Sequence, residues 1–284
     1  MSSADNTQTR IAAQQRAYQV AAIQMASGPR VEGNLNEARR LIAKAAEQGA
    51  RLVVLPEFFA IMGMDEQDKV KVREQDGVGP IQSFMAEEAR KHHVWLLGSL
   101  PLQASRPDKV RNSLLVYDET GVRVARYDKI HLFNLSLGNE AYNEAETIEA
   151  GDRVVVVDSP FGRIGLAICY DLRFPEIFRA MKDVDIIVLP SAFTATTGKM
   201  HWEPLVRARA IENLAYVIAA AQGGYHVSGR ETHGHSMVVD PWGRILDELP
   251  RGSGVVMGEI NPTYQASLRK SLPALTHRTL KCDR

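Results

Sequence analysis

Apolar and polar positions along the chain form short runs that predict strands and helices in alternation. Apolar runs of strand length lie at residues 19–25, 51–56, 94–99, 113–117, 122–127, 154–158, 162–168, 186–189, 216–221, 235–239, 245–248 and 255–260. Apolar residues at helical spacing lie at residues 34–49, 81–92, 173–182, 201–213 and 262–270. Asn34 is the predicted N-cap of the first helix, and Gly49 is its predicted end. The alternation predicts an α/β fold whose helices cover the faces of β-sheets.

Residues 136–152 show neither pattern. A long irregular stretch in a compact domain is usually functional or mobile. This stretch contains Glu144 and lies between Lys129 and the strand before Cys169. The side chains of Lys129 and Cys169 are candidates for catalysis, so we expect the stretch to form one wall of an active site.

No linker rich in Pro or Ser interrupts the chain, so residues 18–284 are predicted to form one domain. Residues 1–17 are polar and have no apolar core, which predicts a disordered tail rather than a secretion signal.

Cys169 is the candidate nucleophile. An apolar run, residues 163–168, stops at this cysteine, and a polar turn and a predicted helix start follow it. A strand–elbow–helix of this kind directs backbone N–H groups and the positive end of the helix dipole at the side chain. Both effects favour the thiolate, which is the nucleophilic form of cysteine. The alternative interpretation is a buried core cysteine.

Two further strands end in residues that could act with Cys169. Pro56 stops an apolar run, so Glu57 lies at the mouth of a buried strand, poorly solvated between the proline and two phenylalanines. That position suits a general base, although a surface carboxylate at the start of a loop fits the pattern equally well. Lys129 ends another strand among aromatic and apolar neighbours, which favours a buried ammonium paired with a carboxylate over a solvated charge.

The segments around these three residues resemble a known family. They read Leu-Pro-Glu at residues 55–57, Tyr-Asp-Lys-Ile-His-Leu-Phe at 127–133 and Cys-Tyr-Asp-Leu-Arg-Phe-Pro-Glu at 169–176. In this order they closely resemble the Glu-Lys-Cys signatures of the nitrilase superfamily of carbon–nitrogen hydrolases. Further matching segments extend the resemblance from about residue 18 to about residue 278. The resemblance implies a four-layer α-β-β-α sandwich.

The resemblance also implies a mechanism and assigns a role to each residue. Cys169 attacks an amide carbonyl carbon and forms a thioester. Glu57 takes the thiol proton and later activates water. Lys129 stabilises the oxyanion together with a backbone N–H near Tyr170. Glu144 matches a second glutamate that positions Lys129 and the substrate, and neither a cofactor nor a metal is implied.

Five residues near the predicted elbow and in the following segments are predicted to contact the substrate. They are Tyr170, Arg173, Phe193, Thr194 and Trp202. Arg173 could hold a carboxylate through two parallel hydrogen bonds. The alternatives are that this arginine pairs with a neighbouring acidic residue, Asp171 or Glu176, and that Trp202 belongs to the core.

Several segments of the second half point to one branch of the family. They cover residues 191–198, 201–203, 207–212, 219–223 and 234–243. They look most like the branch that hydrolyses deaminated glutathione, and the sister branch, an ω-amidase acting on 2-oxoglutaramate, is the nearest alternative. A nitrilase or an N-carbamoyl amidase is a further one. A non-catalytic scaffold that retains the fold is disfavoured, because Glu57, Lys129 and Cys169 are all intact.

Composition limits the partners and the compartment. The 284 residues carry a formal net charge of +0, which favours neither nucleic acid nor an anionic membrane, and no apolar run approaches the length of a membrane span. Two cysteines cannot build a disulfide framework, so a cytoplasmic location is expected, with Cys282 as an exposed, inert thiol. The expected partner is therefore a small-molecule amide, and the resemblance implies a homodimer or larger homo-oligomer.

Overall fold

Two six-stranded β-sheets lie against each other at the centre of the protein. In spatial order the first consists of β16 (Gly254–Ile260), β1 (Tyr18–Gln24), β2 (Ala50–Val54), β3 (Trp95–Gln103), β4 (Val110–Tyr117) and β5 (Arg123–Asp128). The second consists of β15 (Ile245–Leu249), β14 (Ser236–Val239), β11 (Tyr216–Ala221), β10 (Ile186–Ser191), β9 (Gly162–Leu166) and β8 (Val156–Ser159). The computed structural model describes residues 16–138 and 140–280, so Cys282 and most of the predicted disordered tail, residues 1–17, lie outside the described residues.

Helices cover the outer face of each sheet. Helices α1 (Val31–Glu47) and α3 (Pro80–His92) cover the first sheet, and α4 (Pro175–Ala180) and α5 (Ala195–Asn213) cover the second. Two further helices are α2 (Asp68–Lys71), whose Val70 packs in a small separate cluster, and α6 (Pro262–Ser271). Two small hairpins complete the chain: β6 (Asn134–Leu137) with β7 (Glu140–Asn143), and β12 (Gly223–Tyr225) with β13 (Glu231–His233). No helix within the described ranges has the length and apolar character that a membrane span requires.

Alternation along the strands of the first sheet divides the core into layers. Successive side chains of a strand point to opposite faces of its sheet. Val20 and Ala22 of β1 therefore belong to the core between the sheets, whereas Ala21 and Ile23 pack beneath α1 and α3. Helix α5 contributes its own buried face, including Val206, against the second sheet. The predicted four-layer α-β-β-α sandwich is confirmed.

Strand direction brings three strand ends to one region. Strands β1, β2 and β3 are parallel, and β4 runs antiparallel to both β3 and β5, so β5 has the same direction as β2. Strands β9, β10 and β11 of the second sheet are parallel as well. Glu57, Lys129 and Cys169 each follow the carboxyl end of one of these strands, namely β2, β5 and β9.

The first helix begins earlier than its predicted N-cap. Helix α1 starts at Val31, and Asn34 lies inside it with a buried side chain. This side chain accepts a hydrogen bond from the Gly28 N–H and donates to the carbonyls of Gly28 and Ala60, all at 2.8 Å. It therefore ties a loop to the helix instead of capping it. The predicted end is confirmed, since Gly49 follows the helix with φ near 88°.

Two other predicted boundaries also change. Helix α5 begins at Ala195, before the predicted start at residue 201, because the Thr194 side chain caps it by accepting from the Thr197 N–H. The predicted irregular stretch, residues 136–152, contains part of the β6–β7 hairpin. Cross-strand pairing between two short polar segments supplies this order, and no apolar periodicity marks it.

We expect Leu52→Ala to lower the free energy of unfolding by about 2–5 kcal/mol, because Leu52 is fully buried between the sheets and its truncation leaves a cavity. The matched control is Leu246→Ala, at a side chain that is 37% exposed on β15, which should change stability by only about 0.5 kcal/mol. Urea unfolding of both variants measures the difference, and equal losses would contradict the assigned inter-sheet core.

Candidate active site

Cys169 lies at a sharp elbow between β9 and a short 3₁₀ turn, Cys169–Arg173. Its backbone adopts φ near 48°, a left-handed conformation that non-glycine residues seldom adopt. Such conformations persist only where the surroundings hold them, and they concentrate at functional sites. The predicted strand–elbow–helix is present, with the 3₁₀ turn leading into α4.

The fully buried carboxylate of Asp171 holds this elbow. One of its oxygens accepts from the Ile168 N–H at 2.9 Å and from the Tyr127 hydroxyl at 2.6 Å. The other accepts from the His131 N–H at 3.1 Å and lies 2.7 Å from the Nδ1 of that residue. Asp171 therefore joins the nucleophile's turn to the segment that carries Lys129, and it is not the structural partner of Arg173.

Lys129 is fully buried between two glutamates. Its Nζ lies 2.9 Å from Glu57 Oε1 and 2.9 and 2.8 Å from the two carboxylate oxygens of Glu144. Glu144 reaches this position because its Oε2 accepts from the Phe133 N–H at 2.7 Å and its own N–H donates to the Phe133 carbonyl. The segment predicted to wall the site thus supplies the second carboxylate.

A chain of buried polar groups orients Glu57. Asn112 Nδ2 donates to Glu57 Oε1 at 2.8 Å, and the Ser99 hydroxyl donates to Asn112 Oδ1 at 2.7 Å. The Phe58 N–H in turn donates to Ser99 Oγ. Gln222, which follows β11 of the second sheet, donates to the backbone carbonyl of Glu57 at 3.1 Å. Both sheets therefore hold this glutamate in place.

The electrostatics of the cluster favour a neutral thiol and a charged lysine. Burial raises the pKa of the Cys169 thiol well above its usual value, and the charge of Glu57 raises it by more than Lys129 lowers it. Burial alone would lower the pKa of Lys129, but Glu144 and Glu57 outweigh it and hold that pKa well above its usual value. The prediction that the elbow favours the thiolate is therefore wrong for the free site. A neutral thiol at this position would need a base in order to act as a nucleophile.

A cavity opens over Cys169 in two lobes. The inner lobe is narrow, with a volume of about 10 Å³, and is lined by Cys169, Tyr170, Arg173, Phe193, Thr194 and Thr197. The outer lobe has a volume of about 420 Å³ and extends past Lys69 and Tyr142. Glu57, Glu144, Phe133, Ala192 and Arg230 line both lobes.

Four of the five predicted substrate contacts line the cavity, and Trp202 does not. Tyr170, Arg173, Phe193 and Thr194 line the inner lobe. The Arg173 guanidinium lies 5.3 Å from the centre of the Phe193 ring and 5.8 Å from that of Tyr170, and its Nη1 is 3.1 Å from His201 Nδ1.

Trp202 requires a correction. Its side chain is fully buried, packs on Phe193 with ring centres 5.0 Å apart, and donates its indole N–H to the His235 carbonyl. It supports the inner lobe from the core, as a helix residue on the buried face of α5 does, and does not line the cavity.

Sequence reasoning missed several residues of the site. Ser99 interrupts the apolar strand β3, and a polar residue in a buried strand needs a partner, so this signal was available. Asn112 lies in a polar stretch of β4, residues 111–113, where no such signal marks it. Arg230 and Lys69 lie in polar segments without any periodic pattern. Only the fold brings these two cations to the cavity.

The chain belongs to the carbon–nitrogen hydrolase family, whose sequence profile matches residues 19–270. It is 42% identical over 270 residues to a Synechocystis protein named deaminated glutathione amidase, covering 92% of this chain and 98% of that one. The resemblance stated from the three motifs is confirmed, and so is the prediction of an enzyme that hydrolyses carbon–nitrogen bonds.

Two solved structures are similar over nearly the whole chain. Saccharomyces cerevisiae Nit3, a member of branch 10 of the nitrilase superfamily, superposes with a TM-score of 0.84 at 30% identity, covering 93% of this chain and 97% of that one. The Caenorhabditis elegans NitFhit protein also gives a TM-score of 0.84, at 38% identity, and covers 93% of this chain. This chain spans 65% of that longer protein.

We expect Glu57→Gln to make Cys169 react with iodoacetamide at lower pH than in the wild-type protein. The charge of Glu57 raises the thiol pKa, so its removal leaves more thiolate at a given pH. Lys129→Met removes a charge that lowers this pKa and should shift the profile to higher pH.

The measurement is the alkylation rate of Cys169 against pH by mass spectrometry, in a Cys282→Ala background so that a single thiol is counted. Shifts of the same sign in both variants would contradict the electrostatic account.

Proposed function

We propose that this protein hydrolyses the amide of deaminated glutathione through a thioester on Cys169, releasing 2-oxoglutarate and cysteinylglycine. The observation that carries the proposal is the position of a buried Glu57–Lys129–Glu144 cluster beside a cysteine held at a strained elbow. A neutral thiol next to a carboxylate is a nucleophile with its base in place.

In the acylation step Cys169 Sγ attacks the amide carbonyl carbon while Glu57 accepts the thiol proton. The carbonyl oxygen becomes an oxyanion, and the backbone N–H of Tyr170 and the charge of Lys129 stabilise it. A fixed donor of this kind contributes about 3 kcal/mol to transition-state stabilisation. Glu57 then gives its proton to the leaving nitrogen, the carbon–nitrogen bond breaks, and the amine departs.

In deacylation Glu57 again acts first as a base and then as an acid. Glu57 accepts a proton from water, and the resulting hydroxide attacks the thioester carbonyl carbon. The carbon–sulfur bond breaks, and the proton held by Glu57 returns to Sγ. The acid leaves, and the neutral thiol of the resting site is restored.

Glu144 positions Lys129 in this scheme. An ammonium has three N–H donors. Glu57 takes one, and the two oxygens of Glu144, at 2.9 and 2.8 Å, can share another. The third is then available to the oxyanion, while Glu144 keeps the lysine charged.

The cavity supports a substrate with a large leaving group. The outer lobe of about 420 Å³ falls in the usual range for small-molecule sites, roughly 300–1,000 Å³. Ammonia, the leaving group of 2-oxoglutaramate, would leave this lobe empty, whereas cysteinylglycine would occupy it. The name of the Synechocystis relative supports the same choice. Arg173 supplies a cation for the carboxylate of the oxo-acid end, but the inner lobe of about 10 Å³ has room for about one water and must widen to admit that end.

We expect wild-type protein to release 2-oxoglutarate from deaminated glutathione faster than from 2-oxoglutaramate. Cys169→Ala should lower kcat by at least about 10⁴-fold, because it removes the nucleophile. Cys282→Ala is the matched control and should retain full activity. A coupled assay for 2-oxoglutarate measures all three proteins; turnover of 2-oxoglutaramate alone would make the protein an ω-amidase, and full activity of Cys169→Ala would refute the mechanism.

We also expect a homodimer or larger homo-oligomer, as the family resemblance implies, and a cytoplasmic location, as the two cysteines predict. Light scattering on the purified protein measures the mass, with the 31.5 kDa chain as the monomer reference. A monomer at all concentrations would contradict this expectation.

A further inference from the structure

Arg230 lies at the junction of the two lobes of the cavity, and one of its donors is unused. Its Nε is buried and has no hydrogen-bond partner within residues 16–138 and 140–280. Leaving a buried charged donor unpaired costs more than leaving a neutral one, so such a group commonly marks the place of a ligand. The residue borders both lobes and therefore faces any molecule that extends outward from Cys169.

The remaining contacts of Arg230 hold the guanidinium without neutralising it. Nη2 donates to the Ala192 carbonyl at 3.0 Å, and the guanidinium lies 5.0 Å from the centre of the Tyr142 ring. Ala192 is the residue whose N–H approaches Cys169 Sγ at 3.5 Å. Arg230 is thus linked through one residue to the nucleophile.

Three of the four acidic residues in the cavity wall have cationic partners nearer to them than Arg230, and the fourth is the exposed Asp65. Glu57 and Glu144 pair with Lys129, and Glu66 pairs with Lys69. Within the described residues Arg230 makes no ion pair, although its charge contributes to a lowered pKa of Glu66. An incoming carboxylate would therefore find a cation that is not yet paired.

The loop that carries Arg230 is anchored before any substrate binds. The His226 N–H donates to the Arg230 carbonyl at 2.9 Å. The buried His226 ring lies 2.9 Å from the Ser27 carbonyl through Nδ1 and 2.8 Å from Thr232 Oγ1 through Nε2. A carbonyl only accepts, so Nδ1–H donates to Ser27, and burial lowers the pKa of the ring, which favours its neutral form. A preorganised guanidinium loses little freedom on binding.

We propose that Arg230 binds the carboxylate at the leaving-group end of the substrate and so sets the preference for an amide whose amine portion is itself an acid. This inference rests on the proposed function, in which the leaving group is a dipeptide with a free carboxylate. Once the inner lobe has widened, Arg173 in that lobe and Arg230 at the junction hold the two ends of a dianion, with the scissile amide over Cys169.

The test compares deaminated glutathione with its C-terminal carboxamide, in which the terminal carboxylate is replaced by a neutral amide. Arg230→Gln should lower kcat/KM for the acid by roughly ten- to a hundredfold, mainly through KM, and should leave the carboxamide almost unchanged. Arg230→Lys keeps the charge and should recover part of the loss. Arg251→Gln is the matched control, because Arg251 is 54% exposed and pairs with Glu231 away from the cavity lining; it should behave as wild type.

Binding to the Cys169→Ala protein separates this inference from the proposed function. Calorimetry should show tighter binding of the acid than of the carboxamide, and the difference should vanish in Cys169→Ala/Arg230→Gln. Such binding without turnover by the wild-type protein would refute the function and support the subsite. Turnover with equal effects of Arg230→Gln on both substrates, or no binding of either compound, would overturn the subsite.

Discussion

The buried ion cluster of Lys129 with Glu57 and Glu144 is the constraint on which the rest of the site depends. Removing two carboxylates and an ammonium from water is costly, and their attraction compensates only when the geometry is accurate. Each member follows a different strand or turn, so the cluster forms only when the strand ends are held in register. The sheets below it provide that rigidity, and Asn112, itself held by Ser99, donates a second hydrogen bond to the Glu57 Oε1 that Lys129 contacts.

The same cluster determines the chemical character of the nucleophile. With two carboxylates and one ammonium around it, the thiol of Cys169 is neutral at rest. In the proposed mechanism the thiol therefore stays unreactive until a substrate arrives, and Glu57, the proposed base, already lies beside it. Asp171 maintains this arrangement by tying the elbow of Cys169 to Tyr127 and His131, the residues on either side of Lys129 in the sequence.

The shape and charge of the cavity determine which amides can reach Cys169. Its inner lobe is nearly filled by the side chains that line it, and its outer lobe has room for a dipeptide-sized group. Cations without an ion-pair partner in the described part of the chain lie in both regions, Arg173 in the inner lobe and Arg230 at the junction. A substrate with a carboxylate at each end matches this distribution of charge better than a small neutral amide does.

Local sequence pattern determined much of the secondary structure and of the candidate site. The alternation of strands and helices, the elbow at Cys169 and the strand-end positions of Glu57 and Lys129 all follow from short-range pattern, because apolar periodicity and breaks such as Pro56 act within a few residues. Tertiary structure decided the features that depend on contacts between residues far apart in the sequence. These are the core position of Trp202, the role of Asn34 in tying a loop to a helix, the neutral state of the thiol and the position of Arg230 in the cavity wall. Burial and Coulomb interaction depend on neighbours brought together by folding, and spacing along the chain does not encode them.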